Sequence, residues 1–427
     1  MLDLKFIREN PDKVKKACVD RGRPADIDGL LALDEKRRGL LKETEEIKRV
    51  KNVESEEIAK LLREKKDAKA KIADMKTLSE KEKALDEQIR DVEKKIQDAL
   101  YNIPNVPHSS VPVGKDASAN KTVRAWGKER KFDFKPLTHI ELGEHLDILD
   151  FPRASKITGS NFPLFKGDGA KLERSLINFM LDLHTKEHGY REIFPPFLVN
   201  RASMTGTGQL PKFEEDMYRL KDEDLFLVPT AEVPLTNLHM NEILEEEALP
   251  IYYTAYTACF RREAGSYGKE TKGLIRVHQF DKVELVKFVK PAASYDELEK
   301  LVSNAETVLQ KLDLQHRIVM LSTGDLSFAA AKCYDFEAYA PGVAAWLEVS
   351  SCSNFEDFQA RRSNIKYRSK ETGRSEYVHT LNGSGVAMAR TVIAILESFQ
   401  NKDGSVTIPE VLRPYMDGRD RIVPPKK

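Results

Sequence analysis

Apolar residues recur at helical spacing near the start of the chain, in a region otherwise dominated by charge. Between residues 31 and 100 there are 19 Lys or Arg, 18 Asp or Glu, no proline and one glycine. A narrow apolar stripe on solvated helices is typical of a coiled coil. The stripe consists of Leu33, Leu40 and Ile47, seven residues apart, and of Leu85, Ile89, Val92, Ile96 and Leu100, at steps of four, three, four and four.

This stripe needs a partner helix to cover it. One helix through residues 31–100 would be about 100 Å long and would bury nothing. The pattern therefore predicts two antiparallel helices between about residues 28 and 101, with a turn near residue 64 and a length on the order of 50 Å. The stretch Asn52-Val53-Glu54-Ser55 is a better local breaker, so the turn position stays open. The pattern alone favours a structural or dimerising rod. It does not exclude an arm that reaches a large partner.

The pattern changes after Pro104 and Pro107, which stop the helix. We predict an N-terminal domain over residues 1–104, a linker over 105–136 and a second domain over 137–427. Residues 172–189 are typical of an amphipathic helix, and many short strand-like runs follow one another without helices between them. This favours an α+β domain with a largely antiparallel sheet. The strand-like runs are 190–199, 224–229, 256–263, 274–289, 334–341 and 345–355.

Composition narrows the class of protein. Lys plus Arg and Asp plus Glu number 69 each, so a generally basic nucleic-acid coat is not indicated, but this balance says nothing about local basic patches. The four cysteines form no paired spacing, which fits a reducing compartment and gives no zinc motif. We find no apolar signal segment or membrane-length run and expect a soluble cytoplasmic protein. Neither a dinucleotide-binding glycine motif nor a P-loop is present.

Residues 260–280, FRREAGSYGKETKGLIRVHQF, combine cations with a glycine-rich loop. We predict a β-hairpin whose long mobile loop, Ala264 to Gly273, acts as a lid. Alternation along the strands puts Arg261 with Glu263 on one face. A guanidinium grips phosphate, with Arg276 as a second cation on the return strand. On that strand Phe280, which can stack on a purine, shares a face with Glu284. The hairpin therefore indicates a nucleotide triphosphate site, against the simpler alternative of a surface hairpin with scattered ion pairs.

Two further charged residues lie among apolar neighbours. Glu348 is set in the strand-like WLEVSS, and Arg390 follows a predicted Gly-Ser-Gly turn at the start of an apolar helix. Each needs a partner if it is buried. The simple interpretation is a salt bridge for Glu348 and a helix-surface position for Arg390. A more specific interpretation is that Glu348 binds Mg²⁺, because that ion prefers one or two carboxylates together with substrate phosphates.

Taken together and in order, these motifs resemble the bacterial-type seryl-tRNA synthetases, which are class II aminoacyl-tRNA synthetases. GYREIFPPFLV, FRREAGSYGKETKGLIRVHQFDKVEL and GVAMARTVIAILE resemble the three class II motifs. TGTGQLPKF, VPTAEVPLTN, EVSSCSNFEDFQARR and HTLNGSGVAMAR resemble segments specific to the seryl enzymes. The resemblance covers essentially the whole chain. It implies an antiparallel sheet of six or seven strands with flanking helices, an N-terminal coiled-coil arm, and a homodimer joined through the first motif.

The resemblance also implies site residues. Those implied for ATP are Arg261, Arg262, Glu263, Val277, Phe280, Glu348, Val349, Ser350, Ser351 and Arg390, of which Arg261, Glu348 and Arg390 are the expected catalytic residues. Those implied for serine are Thr230, Ala231, Glu232, Glu284 and Ser384, with Arg276 and Asn382 in support. Those implied for Mg²⁺ are Glu348 and Ser351.

The implied activity is ATP-dependent ligation of L-serine to tRNA-Ser through a seryl-adenylate, and to tRNA-Sec where the host has one. The arm would then hold the long variable arm of the tRNA. Two alternatives stay open. An amino acid–carrier ligase would resemble the second domain but typically lacks this arm. A non-enzymatic paralogue would be expected to have lost the ATP-contacting residues, and here Arg261, Glu348 and Arg390 are all in place.

Overall fold

The computed structural model describes residues 1–264 and 272–425. The chain divides into two compact units. The first comprises Leu2–Val19 with Arg23–Pro104, and the second comprises Asn105–Lys427 with Met1 and Asp20–Gly22. The predicted lid, residues 264–273, lies mostly outside the described residues. No helix within the described part of the chain is both long and apolar enough to cross a membrane.

The first unit is built on two long helices. Its helices are α1 (Leu4–Glu9), α2 (Pro11–Asp20), α3 (Ile27–Arg63) and α4 (Lys69–Tyr101). The 37 residues of α3 give a length of about 55 Å at 1.5 Å per residue. Helix α3 runs without a break through the stretch 52–55, so the turn near residue 64 is confirmed. There Lys65 takes a left-handed φ of 53°, and the Asp67 carboxylate accepts from the Lys69 amide at 2.9 Å as α4 begins.

The apolar stripe holds α3 and α4 together. All five stripe residues of α4 are buried, as is Ile47 of α3, whereas Leu33 and Leu40 are half-buried. Ion pairs flank the stripe, but exposed pairs contribute only about 0–1 kcal/mol each. The antiparallel pairing therefore depends mainly on the apolar residues. The flanking pairs are Arg37–Glu93 at 2.8 Å, Lys51–Glu82 at 2.7 Å and Lys81–Glu43 at 2.7 Å.

The second unit combines helices with short and long strands. Its helices are α5 (His139–His145), α6 (Phe151–Thr158), α7 (Asp168–Lys186), α8 (Arg201–Thr207), α9 (Glu232–Thr236), α10 (Ser294–Lys311), α11 (Phe358–Ser363) and α12 (Met388–Ser398). Its strands are β1 (Lys121–Trp126), β2 (Arg191–Glu192), β3 (Leu198–Asn200), β4 (Leu225–Leu227), β5 (Ile243–Glu245), β6 (Ile251–Phe260), β7 (Gln279–Val289), β8 (His316–Met320), β9 (Lys332–Ala340), β10 (Ala345–Asn354), β11 (Lys366–Arg368), β12 (Ser375–Tyr377), β13 (His379–Ala387), β14 (Val406–Thr407) and β15 (Arg421–Ile422).

The central sheet has, among the described residues, eight strands in the order β1-β8-β9-β10-β13-β7-β6-β2. The pairs are antiparallel except β2 with β6 at one edge. The six or seven strands implied by the resemblance become eight because β1 and the two-residue β2 extend opposite edges. Strand β1 lies within residues 105–136, the predicted linker, and pairs with β8. The domain boundaries themselves stay a prediction.

Alternation along β7 separates the core from the pocket. Val283, Leu285 and Val289 enter the main apolar core, which includes residues of α7, α10 and α12. Side chains at positions 280, 282 and 284 point to the opposite face because successive residues of a strand alternate. Packing of one face therefore fixes which side chains reach the other.

Two local predictions were wrong. Gly383-Ser384-Gly385 is not a turn but part of β13, since Ser384 pairs with Glu284 of β7 and holds this stretch extended. Arg261 and Glu263 do not alternate within a strand, because β6 ends at Phe260 and Glu263 has a φ of 50°. At residues 383–385 pairing with β7, about a hundred residues away in sequence, decided the backbone.

We expect Ile96→Ala to loosen the arm, because burying a smaller side chain leaves a cavity between α3 and α4. The local loss should be about 2–5 kcal/mol. Hydrogen exchange of the α4 amides measures it directly, since a two-unit chain need not unfold in one step. Lys95→Ala, one residue earlier and exposed, is the control and should change protection by less than about 0.5 kcal/mol. Equal effects of the two variants would contradict the buried stripe.

Candidate active site

A cavity of about 540 Å³ lies beside the central sheet, next to Phe280 and Lys282 of β7. Residues following β6, residues of β7, β10 and β13, and the start of α12 line it, so some of the segments that meet here, such as β7 and α12, are about a hundred residues apart in sequence. Most of the predicted site residues come together in this cavity. They are Thr230, Glu232, Arg261, Glu263, Arg276, Val277, Phe280, Glu348, Val349, Ser350, Ser351, Asn382, Ser384 and Arg390.

Three predicted site residues do not line the cavity. Arg262 is exposed, and its backbone amide donates to the Asp216 carbonyl at 3.0 Å. Ala231 and Glu284 are fully buried directly behind the lining. Strand β7 sets the position of Glu284. Its carboxylate does not line the cavity, but the residues that contact it do.

Cations and an aromatic ring form one side of the cavity. The Arg261 guanidinium lies 5.2 Å from the centre of the Phe280 ring and donates to the Pro229 carbonyl at 3.3 Å. Arg276 pairs with Glu263 at 2.6 Å. An aromatic face beside guanidinium groups can receive a purine and its phosphates. This part of the cavity is therefore suited to a nucleotide.

Arg390 and Glu348 are partners. Arg390 Nη1 donates to the Glu348 backbone carbonyl at 2.8 Å and lies 3.4 Å from its carboxylate, while Nε donates to the Ile275 carbonyl at 2.9 Å. These bonds hold the guanidinium at the cavity wall. The Glu348 side chain is still 50% exposed, so its carboxylate has oxygen available for a cation.

A buried carboxylate organises the opposite side. Glu284 Oε2 lies 2.6 Å from Lys282 Nζ and accepts from the Thr230 hydroxyl at 3.1 Å. Its Oε1 accepts from the Asn382 amide at 2.9 Å. Thr230 is itself fixed, because its Oγ1 accepts from the Glu232 backbone amide at 3.1 Å. The result is a small polar subsite in which every donor to Glu284 lines the cavity.

Glu232 contributes a second buried carboxyl to this subsite. Its Oε1 accepts from Gln359 Nε2 at 2.6 Å, and the Gln359 carbonyl accepts from the Thr380 hydroxyl at 2.7 Å. Burial, followed by the negative charge of Glu284, raises the pKa of Glu232 to about 7. A carboxyl with such a pKa can bind a cation by giving up its proton near neutrality.

Acidic groups also gather near Glu348. Asp335 pairs with Ser351 across β9 and β10, and burial together with the charge of Glu348 raises the pKa of Asp335 well above its usual value. The Ser351 hydroxyl lies 3.1 Å from Cys333 Sγ. No group of three or more His, Cys, Asp or Glu side chains suited to a metal occurs in the described ranges. A divalent ion here would need oxygens from a substrate as well as from the protein.

Three residues of this site were missed from the sequence. The sequence could have indicated Lys282, since it stands between Phe280 and Glu284 on the same face of a predicted strand. Nothing in the sequence pattern pointed to Asp335 or Gln359, because sheet pairing brings Asp335 to the site and α11 brings Gln359.

Comparisons with known proteins identify related chains. Residues 1–107 match the seryl-tRNA synthetase N-terminal domain, and residues 212–399 match the tRNA synthetase class II core domain (G, H, P, S and T). The serine–tRNA ligase of Carboxydothermus hydrogenoformans is 58% identical over 422 residues, covering 99% of both chains. That of Listeria welshimeri is 55% identical over the full length of both.

This chain belongs to the seryl-tRNA synthetase family. The crystal structure of the Pyrococcus horikoshii seryl-tRNA synthetase complexed with ATP matches the full chain with a TM-score of 0.94 at 39% identity. The Naegleria fowleri enzyme in complex with AMP matches with a TM-score of 0.88 at 31% identity. The resemblance and the class II fold predicted from the motifs are confirmed.

We expect Glu232 to make the stability of this synthetase fall between about pH 4.5 and pH 7. The folded protein keeps the proton up to about pH 7, whereas an unfolded glutamate loses it near pH 4.5, so the folded state binds more protons in this window. Relative to Glu232→Gln, the wild type should lose up to about 3 kcal/mol of unfolding free energy between about pH 4.5 and pH 7. Urea unfolding followed at several pH values measures the difference. Exposed Glu245→Gln is the control, and a wild-type profile parallel to that of Glu232→Gln would contradict the buried proton.

Proposed function

We propose that this chain activates L-serine with ATP and transfers the seryl group to tRNA-Ser. The observation that carries the proposal is that one cavity joins an arginine-rich side with an aromatic platform to a small polar subsite with two buried carboxyls. The first side suits a triphosphate and a purine, and the second suits a small amino acid with an ammonium and a hydroxyl. Membership of the seryl-tRNA synthetase family names the amino acid.

The nucleotide would lie along the cationic side. Phe280 would stack on the adenine, with Glu263 and Val277 beside it. Arg261 would contact the α-phosphate, and Arg390 would contact the γ-phosphate end. This assignment is supported by the spacing in the cavity, where Arg261 is fixed against Phe280 and Arg390 is anchored by two backbone carbonyls. Fixed guanidinium groups cost little reorganisation when charge develops on the phosphates.

Two group transfers would follow. First, a serine carboxylate oxygen attacks the α-phosphorus, the bond to the bridging oxygen breaks, and pyrophosphate leaves, giving seryl-adenylate. Second, a ribose hydroxyl at the 3′ end of the tRNA attacks the seryl carbonyl, and AMP leaves. The protein's contribution is mostly positioning and stabilisation of charge. Arg261 would act on the negative charge that builds on the non-bridging oxygens of the α-phosphate.

Mg²⁺ fits the region of Glu348 and Ser351. Glu348 offers an exposed carboxylate, Ser351 a hydroxyl, and Asp335 adds negative charge nearby. Hard oxygen donors are what this ion prefers, together with substrate phosphates. When bound, Mg²⁺ would neutralise phosphate charge. The backbone around Val349 and Ser350 would hold these two ligands in register on β10.

Serine would be selected by hydrogen bonds in the polar subsite. Glu232 and Glu284 would accept from the ammonium and hydroxyl, with Thr230 and Ser384 as neutral partners, Ala231 setting the backbone, and Asn382 holding Glu284. A site built for a substrate hydroxyl rejects the analogue without it by about 10⁴-fold or more. Alanine should therefore be excluded strongly.

The arm would bind the long variable arm of tRNA-Ser, and that of tRNA-Sec where the host has one. A seryl-tRNA synthetase from M. kandleri is known in complex with A. aeolicus tRNASec, although at 19% identity it shares only the fold with this chain. Contacts to the tRNA backbone and shape are expected from exposed lysines and arginines. We further propose a homodimer joined through the first class II motif, which contains β2.

We expect purified protein to catalyse ATP–pyrophosphate exchange that depends on serine and not on alanine, threonine or cysteine. Arg261→Ala should slow this exchange by about 10²–10³-fold, because a donor to the developing charge is lost. Arg368→Ala, an exposed arginine on β11, is the control and should leave the rate unchanged. No exchange by folded wild-type protein would overturn the proposed function.

Deleting residues 32–97 should leave serine-dependent exchange intact and abolish charging of tRNA-Ser. The reason is that the cavity residues all lie in the second unit, which has its own apolar core. Exchange and tRNA charging are measured on the same preparation, with circular dichroism to verify folding. Equal loss of both activities in a folded deletion variant would refute this division of labour.

A further inference from the structure

Lys282 is a buried lysine on the wall of the cavity. Its side chain is 7% exposed, and its Nζ lies 2.6 Å from Glu284 Oε2. It stands on β7 between Phe280 and Glu284, and all three point to the cavity side because residues two apart share a face. A buried ammonium is costly unless it is paired. Glu284 is therefore the group that compensates the buried side chain of Lys282.

Lys282 is the partner of Glu284 that can move away most easily. The two hydrogen-bond donors to Glu284, Thr230 and Asn382, have short side chains, and Thr230 is further held by the Glu232 amide. A lysine has a flexible four-carbon stem that can move its ammonium by several ångströms without moving the strand. A substrate ammonium that approaches Glu284 would compete with Lys282 for the same carboxylate.

The order of residues along β7 places Lys282 between two subsites. Phe280 marks the proposed adenine position and Glu284 the proposed amino-acid position. At about 3.3 Å per residue, Lys282 is separated from each by about 7 Å along the strand. The serine carboxylate and the α-phosphate must meet between those positions. A cation at this point lies where negative charge from two substrates comes together.

Resting on the proposed function, we propose that the serine ammonium replaces Lys282 on Glu284 and that the freed Lys282 contacts the serine carboxylate and the α-phosphate during adenylate formation. Glu284 keeps one cationic and two neutral donors before and after the exchange, so no buried charge is left unpaired. An oxygen–phosphorus bond forms, the bond to the bridging oxygen breaks, and pyrophosphate takes the electron pair. Lys282 keeps its proton and contributes only charge, next to Arg261.

The same strand carries a matched control. Lys287 is also buried and pairs with Glu297 at 2.9 Å, with side chains 1% and 6% exposed. It lies on the opposite face of β7, with its ammonium 4.4 Å from the centre of the Tyr252 ring, and it does not line the cavity. Lys287→Met therefore removes a buried lysine of similar environment without touching the proposed reaction centre.

The test compares Lys282→Met, Lys282→Arg and Lys287→Met in serine-dependent ATP–pyrophosphate exchange, with rates corrected for folded protein. We expect Lys282→Met to lower kcat by about 10²–10³-fold while the KM for ATP changes by less than about threefold, and Lys282→Arg to recover at least about tenfold of the loss. Lys287→Met should stay within about threefold of the wild type.

Three results would overturn the proposal: Lys282→Met as fast as the wild type, Lys287→Met as slow as Lys282→Met, or Lys282→Arg no faster than Lys282→Met. A wild-type protein without exchange would instead overturn the proposed function.

A second measurement uses only the wild type and so does not depend on a variant that folds. A crystal structure with a non-hydrolysable seryl-adenylate analogue, a seryl sulfamoyl adenosine, should place Lys282 Nζ within about 3.2 Å of an oxygen at the acyl–sulfamoyl junction. The analogue's ammonium should occupy the Glu284 carboxylate. If Lys282 stays bonded to Glu284 with the analogue in place, the exchange does not occur.

Discussion

The pairing of β7 with β6 on one side and β13 on the other determines most of what this protein can do. It fixes one face of β7 against the apolar core and turns Phe280, Lys282 and Glu284 toward the cavity. The same register sets Ser384 opposite Glu284. Shifting a strand by one residue would exchange its faces, which would turn Phe280 and Lys282 toward the apolar core and take Val283 and Leu285 out of it. The site is thus as rigid as the sheet that carries it.

The cavity concentrates charge that would be costly elsewhere. Two glutamates and a lysine lie buried within one subsite, and each is held by named donors or acceptors. Burying ionised groups is unfavourable unless they are paired and fully hydrogen-bonded. Burial and the charge of Glu284 raise the pKa of Glu232 to about 7. A positively charged ligand group near Glu232 would favour its ionised form.

The two units are stabilised in different ways. The second unit has a large continuous apolar core in which the sheet and α7, α10 and α12 are packed. The first unit depends on the narrow stripe between α3 and α4, and its remaining surface is charged. A long exposed surface with little core suits recognition of an extended polyanion, whereas chemistry on small substrates needs the closed, rigid environment that only the larger core provides.

The local pattern of the chain was enough to determine the coiled coil, because helix pairing needs only the seven-residue repeat and a turn, and both are encoded within about 75 residues. The resemblance of the motifs to a known family identified 14 of the residues that line the cavity, because the motifs are local stretches of sequence. Tertiary structure decided that residues 383–385 form a strand rather than a turn, that Glu284 lies behind the cavity wall, and that Lys282, Gln359 and Asp335 belong to the site. Those outcomes depend on which distant strands and helices come into contact. The energy of such a contact depends on both segments, so it cannot be inferred from the sequence of either one alone.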